Sequence, residues 1–418
     1  MGFLCLFFVF GIKDIYVAAL DGVISPASSS YLLRAIDYSE EANVTCLIIK
    51  LDTPGGLDES MREITKRILD AKVPVVVFVA PKGARAASAG VFILYASHVA
   101  AMAPGTNIGA AHPVGVGGGN MDSIMVTKVT NDAVAYLNAL AKERGRNENW
   151  AEKAVRESAS IDAETALRIG VCEIIAVDVN DLIKKLDKRE TMVADKKVTL
   201  QTEGQSIKEV RITLREKLLL ILTNPNIAYI LLLLGIYGIF FELQNPGMIF
   251  PGVVGGICLI LAFYALHLLP VNYAGVALII LSAILFILEI YKASHGILTI
   301  GGIVSLVVGS LILFESNVPF FRVSWEVIMV VVIIIAAFVI FLMTMGIRAQ
   351  FKRPATGREG LIGESGLAKT DINLDGGTVY AHGEFWNAVS DKPIKKGGKV
   401  KIVDIKEMTT KVESTNSD

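Results

Sequence analysis

Apolar positions fall along this chain in three regimes, and each predicts a different architecture. From Asp14 to about Val179, short unbroken Val/Ile/Leu runs alternate with segments whose apolar residues recur at helical spacing. The runs predict strands at Ile15–Leu20, Thr45–Leu51, Val73–Val79, Val99–Met102 and Glu173–Val177. The periodic segments predict helices near Ser29–Glu41, Leu57–Ala71, Gly90–Tyr95, Asn131–Arg144, Trp150–Glu157 and Ala163–Ile169. Strands that are apolar at every position belong in a mostly parallel sheet with helices on both faces. The first regime therefore predicts an α/β domain over residues 13–190.

The second regime follows a charged connector at 191–225, which has strand-like pieces around Val198–Thr202 and Val210–Thr213. Long apolar runs then give candidate membrane spans at Ile227–Phe241, Val253–Leu269, Tyr273–Ile290, Ile297–Phe314 and Val327–Met345. The first and fourth approach the short limit for crossing a bilayer, so the region 226–346 holds four or five spans. Five spans put the chain ends on opposite sides. Lys292 and the cluster Arg348, Lys352, Arg353 then face the cytosol with the C-terminal domain, and the α/β domain lies outside it. Arg211, Arg215 and Lys217, just before the first span, oppose that orientation. The apolar run at 1–12 is too short to span and reads as a signal or anchor segment. His267, Glu289 and His295 sit near span ends and read as polar tips that reach the interface rather than as an ion or proton path.

The third regime, 357–415, has short strand-like runs separated by Gly-Gly turns, the pattern of a small all-β barrel of the OB type. Its aromatics, Tyr380, Phe385 and Trp386, are clustered rather than spread as a stacking platform, which argues against nucleic acid. A net charge of −1 gives no reason to add it. The 53% apolar content and mean hydropathy of +0.54 exceed those of a soluble protein and agree with a multi-pass membrane protein. Cys5, Cys46, Cys172 and Cys258 share no metal or redox spacing and read as buried thiols; no metal or cofactor is implied.

The candidate chemistry lies between the third strand and the next helix, at Ala87-Ser88-Ala89-Gly90. A serine flanked by Ala and Gly has little bulk around its hydroxyl, and a helix N-terminus stabilises nearby negative charge. Ser88 is thus a candidate acyl-transfer nucleophile. Such a nucleophile needs oxyanion donors and a base. Pro54-Gly55-Gly56 ends the second strand, and the N–H groups of Gly56 and Ala89 are the candidate donors. Lys128 is a candidate base because Val126-Thr127-Lys128-Val129-Thr130 carries no other charge, and desolvation would favour its neutral amine. His112 is the second candidate; His98 follows a helix and reads as its cap, and Lys142 reads as solvated.

Leu51–Gly56 (LDTPGG), Ala86–Gly90 (AASAG), Ala103–Gly109 (APGTNIG) and Lys128 resemble the serine-protease domain of long-form NfeD proteins, within the ClpP/signal-peptide-peptidase superfamily. The order of domains matches, as does Gly383–Ala388 (GEFWNA) in the barrel segment. The resemblance implies a ClpP/crotonase-like α/β fold and a Ser–Lys dyad, with Ser88 as nucleophile, Lys128 as base and oxyanion donors at Gly56 and Ala89. His112 falls where the ClpP branch keeps a triad histidine, but around Ser158 there is no aspartate to orient it, so Lys128 is favoured. A stomatin- or prohibitin-like membrane partner and a homo-oligomer, dimeric or larger, are further implications. The expected function is a membrane-anchored serine endopeptidase cleaving apolar segments of membrane proteins. A non-proteolytic membrane scaffold is the alternative, and an acyl-CoA enzyme of crotonase type ranks last for want of an acid/base carboxylate pair.

Overall fold

The computed structural model describes residues 14–114, 123–244, 247, 249–269, 271–292, 294, 296–314, 319–350 and 358–415; the apolar run at 1–12 lies outside them. The α/β domain begins with β1 (Ile15–Asp21), α1 (Pro26–Glu41), β2 (Cys46–Asp52), α2 (Asp58–Leu69), β3 (Val75–Val79), β4 (Arg85–Ala87) and α3 (Ala89–Ala96). It continues with β5 (Val99–Met102), β6 (Asn107–Gly109), α4 (Ser123–Arg144), α5 (Glu148–Arg156), β7 (Ser160–Asp162), α6 (Ala163–Arg168), β8 (Ile174–Ile175) and α7 (Val179–Leu186). A hairpin, β9 (Glu190–Val193) and β10 (Lys196–Thr199), leads to β11 (Ile207–Glu209).

Six strands pair in the order β11-β1-β2-β3-β5-β8, every pair parallel. Alternate residues of one strand enter different cores, which explains the unbroken apolar runs. In β2, Leu47, Ile49 and Leu51 join the core under α1 to α5, while Cys46 and Ile48 join a second core with Leu182 and Leu186 of α7.

Three local expectations change. Ile207–Glu209 pair with Ile15–Val17, so part of the expected connector is an edge strand of the sheet. Three-residue strands β4, β6 and β7 form a second small sheet that the apolar pattern does not announce. Helix α4 starts at Ser123 rather than Asn131, which puts Lys128 on the helix instead of before it.

A buried cation holds α3 at its far end. The Arg146 side chain is only 1% exposed, and its Nη1 donates to the carbonyls of Leu94, Tyr95 and Ser97 at 3.0, 2.8 and 3.0 Å. Its Nε and Nη2 pair with the Glu173 carboxylate at 2.8 and 3.0 Å. These carbonyls are ones a helix C-terminus leaves without partners.

After α8 (Leu214–Leu222), α9 (Pro225–Gln244) and α10 (Ile249–His267) are long and apolar enough to cross a membrane. Then come α11 (Tyr273–Tyr291), α12 (Ile297–Ile312) and α13 (Trp325–Gln350), whose apolar stretches are shorter, at Tyr273–Glu289, Ile297–Ile312 and Trp325–Phe341. Glycines set the closest approaches: a Cβ at Gly238 would lie 2.9 Å from Gly255 Cα, and one at Gly275 2.6 Å from Leu313 Cα. Glu289 does not reach outward; it is buried and accepts from the N–H groups of Ser294, Gly296 and Thr299, capping α12. His267 is exposed at the end of α10, and His295 lies outside the described residues.

The C-terminal unit contains β12 (Ser365–Ala368), β13 (Thr378–Ala381), β14 (Glu384–Val389), β15 (Lys399–Lys406) and β16 (Thr409–Ser414), closed in the order β12-β13-β14-β16-β15. Val379, Ala388, Val400, Ile402 and Val412 fill it and Trp386 packs against them, an arrangement consistent with an OB barrel.

Removing the Arg146 guanidinium takes a charged donor from three carbonyls and from Glu173, although Leu94 O keeps Ser97 Oγ and Glu173 keeps Ala100 N–H. Arg146→Ala is expected to destabilise the α/β domain by about 3 kcal/mol. Thermal unfolding of the full chain in detergent measures this, and an unshifted transition would show that the clamp contributes nothing.

Candidate active site

Ser88 stands between β4 and α3 with φ 50° and ψ −113°, outside the region that L-residues ordinarily occupy. Its neighbours pin it there. Ala87 N–H donates to Thr53 O at 3.0 Å, Ser88 N–H to Gly109 O at 3.3 Å, and Val91 N–H to Ser88 O at 3.0 Å. The hydroxyl makes no capping bond to the helix it precedes. It is therefore left for other chemistry, on a half-buried residue whose helix is buried from Ala89 to Ala96.

The Gly-Gly turn lies against this serine. A Cβ built on Gly55 would sit 2.7 Å from Ser88 Cβ and 3.1 Å from its Oγ, and Gly55 has φ +117°. No side chain fits there. Gly55 N–H is used by Thr53 Oγ1 at 3.1 Å, whereas the N–H groups of Gly56 and Ala89 donate to nothing among the described residues. The β-bridge between Ile24 and Gly56 fixes the turn, with Ile24 N–H to Gly55 O and Leu57 N–H to Ile24 O both at 2.9 Å. Gly55, rather than its neighbour Gly56, makes the close approach to Ser88. Asp52 is structural: its Oδ1 accepts from Arg85 N–H at 3.0 Å and positions the start of β4.

The candidate bases sit in three different environments. Lys128 lies in the first turns of α4, where every residue from Ser123 to Val129 is exposed and burial starts only at Thr130. The described residues thus do not supply the expected desolvation. Instead Lys128 is accompanied by exposed Ile124, Met125, Val126 and Val129. The half-buried His112 places Nδ1 2.9 Å from Val155 O. A carbonyl only accepts, so Nδ1 carries a proton. That partner orients the ring without the charge with which a carboxylate would stabilise an imidazolium. Asp162 is committed elsewhere, capping α6 through Thr165 N–H at 2.6 Å.

His98 is not a helix cap. It is buried, its Nδ1 accepts from Val75 N–H at 3.1 Å, and its backbone N–H returns a bond to Val75 O at 2.9 Å. Burial, then the nearby Arg144 and Arg146 charges, hold its pKa down at about 3. Lys142 is exposed beside Glu148, at 3.5 Å. Among the described residues there is no group of three or more His, Cys, Asp or Glu side chains placed to hold a metal. Cys46, Cys172 and Cys258 are buried and unpaired, and burial pushes the Cys46 and Cys172 thiols up to about 12.

Together these features define a class: a parallel-sheet α/β domain, then apolar helices of which two are long enough to cross a membrane, then a small closed β-barrel. Family models match the chain in the same order. They are the NfeD1b N-terminal domain at residues 14–196, the NfeD integral membrane domain at 226–345, and the NfeD-like C-terminal, partner-binding domain at 358–413. Membrane-bound protease PH1510 of Pyrococcus horikoshii is 37% identical over 407 residues, covering 94% of this chain and 92% of that protein. Membrane protein NfeD1b of Bacillus subtilis is 28% identical over 425 residues, covering 94% and 91%. The chain belongs to the NfeD family of membrane proteins. Among solved structures, it is similar to the 1510-N membrane protease specific for a stomatin homolog from Pyrococcus horikoshii, at 36% identity, 50% of this chain, 96% of that one and a TM-score of 0.44. It is also similar to a lysine-to-alanine mutant of the 1510-N stomatin-specific protease in complex with a substrate peptide, at 36% identity, 50% and 97% coverage and a TM-score of 0.47.

The buried histidine makes stability depend on pH with a definite sign. His98 binds a proton near pH 6.5 when unfolded and near 3 when folded. Its contribution is complete above pH 6.5 and is lost as the pH falls toward 3, by up to about 1.4 kcal/mol per pH unit. Unfolding measured from pH 6.5 down to about 5, above the main carboxylate range, should show this slope, and His98→Gln should flatten it. An equal slope in both proteins would assign the dependence to other groups.

Proposed function

We propose that this chain is a membrane-anchored serine endopeptidase that cleaves apolar segments of membrane proteins, with a stomatin- or prohibitin-like protein as substrate or partner. The observation that carries the reading is the Ser88 backbone, held at φ 50° at the N-terminus of a buried helix with Gly55 packed against its hydroxyl. Strain of this kind aims a nucleophile outward from a strand-to-helix turn. The 37% identity with a membrane-bound protease over nearly the whole chain supports the same class.

In the proposed reaction, Ser88 Oγ attacks the scissile carbonyl while the neutral Lys128 amine takes its proton. The tetrahedral oxyanion is met by the N–H groups of Gly56 and Ala89 and by the positive end of α3. Lys128 returns the proton to the leaving amine, and water then releases the acyl group by the same route. A lysine amine acts as a base in a dry setting. An apolar substrate, or a second copy of the chain, laid against Ile124, Met125, Val126 and Val129 supplies one. In this reading the region holds five of the four or five expected spans, so the protease domain lies outside the cytosol and the barrel inside.

The test compares cleavage of an apolar peptide from a stomatin-like protein by the full chain and its variants. Ser88→Ala and Lys128→Ala should each lose at least about 10³-fold in rate. His112→Ala should keep activity to within about 10²-fold, the lower bound of a general base's contribution. Gly55→Ala should abolish turnover, because its Cβ meets Ser88 at 2.7 Å. Undiminished cleavage by Ser88→Ala would end the proposal, while loss confined to His112→Ala would move the base there. A wild-type chain that binds the partner without cutting it would favour the scaffold.

A further inference from the structure

We propose that α8 is an interfacial helix that lies in the headgroup region of an anionic bilayer and fixes the α/β domain to that surface. Its nine residues, LREKLLLIL, expose Leu214, Leu218 and Ile221, at 87%, 52% and 45%. The spacing i, i+4, i+7 puts these three side chains on one stripe. Arg215 and Lys217, both exposed, flank the stripe on either side. Apolar side chains bordered by cations are what an interface between acyl chains and phosphates accepts.

Two observations place a membrane, rather than water, against this stripe. The spanning helix α9 begins at Pro225, three residues after α8 ends at Leu222, so α8 lies at the end of a membrane span. The opposite face of α8 is already committed to the α/β domain. Glu216 is buried there and pairs with Arg34 of α1, through Nε at 2.6 Å and Nη2 at 2.8 Å. The same Nη2 donates to Arg211 O at 2.9 Å, and Glu216 also accepts from Thr213 N–H at 2.8 Å in a capping box. The helix therefore turns one side to the domain and the other outward. The basic residues that oppose the charge-based topology acquire a local reason, since they contact phosphates at the interface.

The test uses the full chain in vesicles of phosphatidylcholine with phosphatidylglycerol. Leu218→Cys carries an environment-sensitive fluorophore, Lys153→Cys on the exposed face of α5 is the aqueous reference, and the unsubstituted chain is the labelling blank. The probe at 218 should be blue-shifted relative to that at 153, quenched by headgroup-level nitroxide lipids and protected from aqueous iodide. Adding Arg215→Glu with Lys217→Glu should reduce the blue shift in these vesicles more than in pure phosphatidylcholine. Iodide quenching at 218 equal to that at 153 would overturn the proposal. Cross-linking of Leu218→Cys between copies would overturn it too, by assigning the stripe to a second chain.

Discussion

A serine at φ 50° and ψ −113° occupies backbone space that suits glycine, and it stays there only because its surroundings leave no alternative. Strain of this kind costs about 1–3 kcal/mol and must be offset by neighbouring bonds. Here the offset comes from three directions. β4 is hydrogen-bonded to Thr53 of the strand-end turn, β6 receives the Ser88 N–H through Gly109, and α3 closes its first turn on Ser88 O. Gly109, at φ +144° with Ala159 O 2.3 Å from where its Cβ would be, shows how closely the backbones converge behind the serine. The small sheet β4-β6-β7 is best understood as the frame of this one turn.

Helix α3 transmits the same constraint through the domain. It is too short and too apolar to owe its position to surface contacts, and all its residues are buried. Its N-terminus carries Ser88 and its C-terminus ends on the Arg146 guanidinium, which Glu173 holds from the segment before β8. Glu173 also accepts from Ala100 N–H at 2.5 Å, so one carboxylate joins β5, the arginine and the helix end. Such a pair contributes less to stability than to fixing a single arrangement, because desolvation offsets much of its attraction. What it fixes is the axis along which the helix dipole meets Ser88.

The central sheet was legible in the sequence because both its faces are covered, so that unbroken Val/Ile/Leu runs could mean little else. The membrane helices and the barrel were legible for equally simple reasons, length of apolar run in one case and Gly-Gly punctuation in the other. Strands of three residues, such as Arg85–Ala87, are too short to carry a period, and the small sheet went unseen. Ile207–Glu209 are wholly exposed at an edge and give no apolar signal either. In the site, Ser88 and the paired glycine turn were readable from their small-residue context. Arg146 was not, since a lone arginine between two helices looks solvated until three carbonyls are found around it. His98 misled for the opposite reason: its position after a helix suggested a cap, whereas its ring completes a strand-end bond inside the fold.

The two halves of the candidate site differ in how they are held, and this bears on how the reaction would be controlled. Ser88, Gly56 and Ala89 belong to a close-packed frame in which a single added methyl group collides. Lys128 belongs to exposed turns of α4, and packing holds that helix only from Thr130 onward. In the proposed reaction the nucleophile is thus held in place before a substrate arrives, whereas the turn that carries the base is not. An amine covered by apolar surface loses hydration and with it the stability of its charge. Ile124, Met125, Val126 and Val129 are the residues such a surface would meet, and among the described residues they enter no core. A site of the proposed kind would be completed by an apolar occupant, which suits a hydrolase anchored among the apolar segments it is proposed to cut.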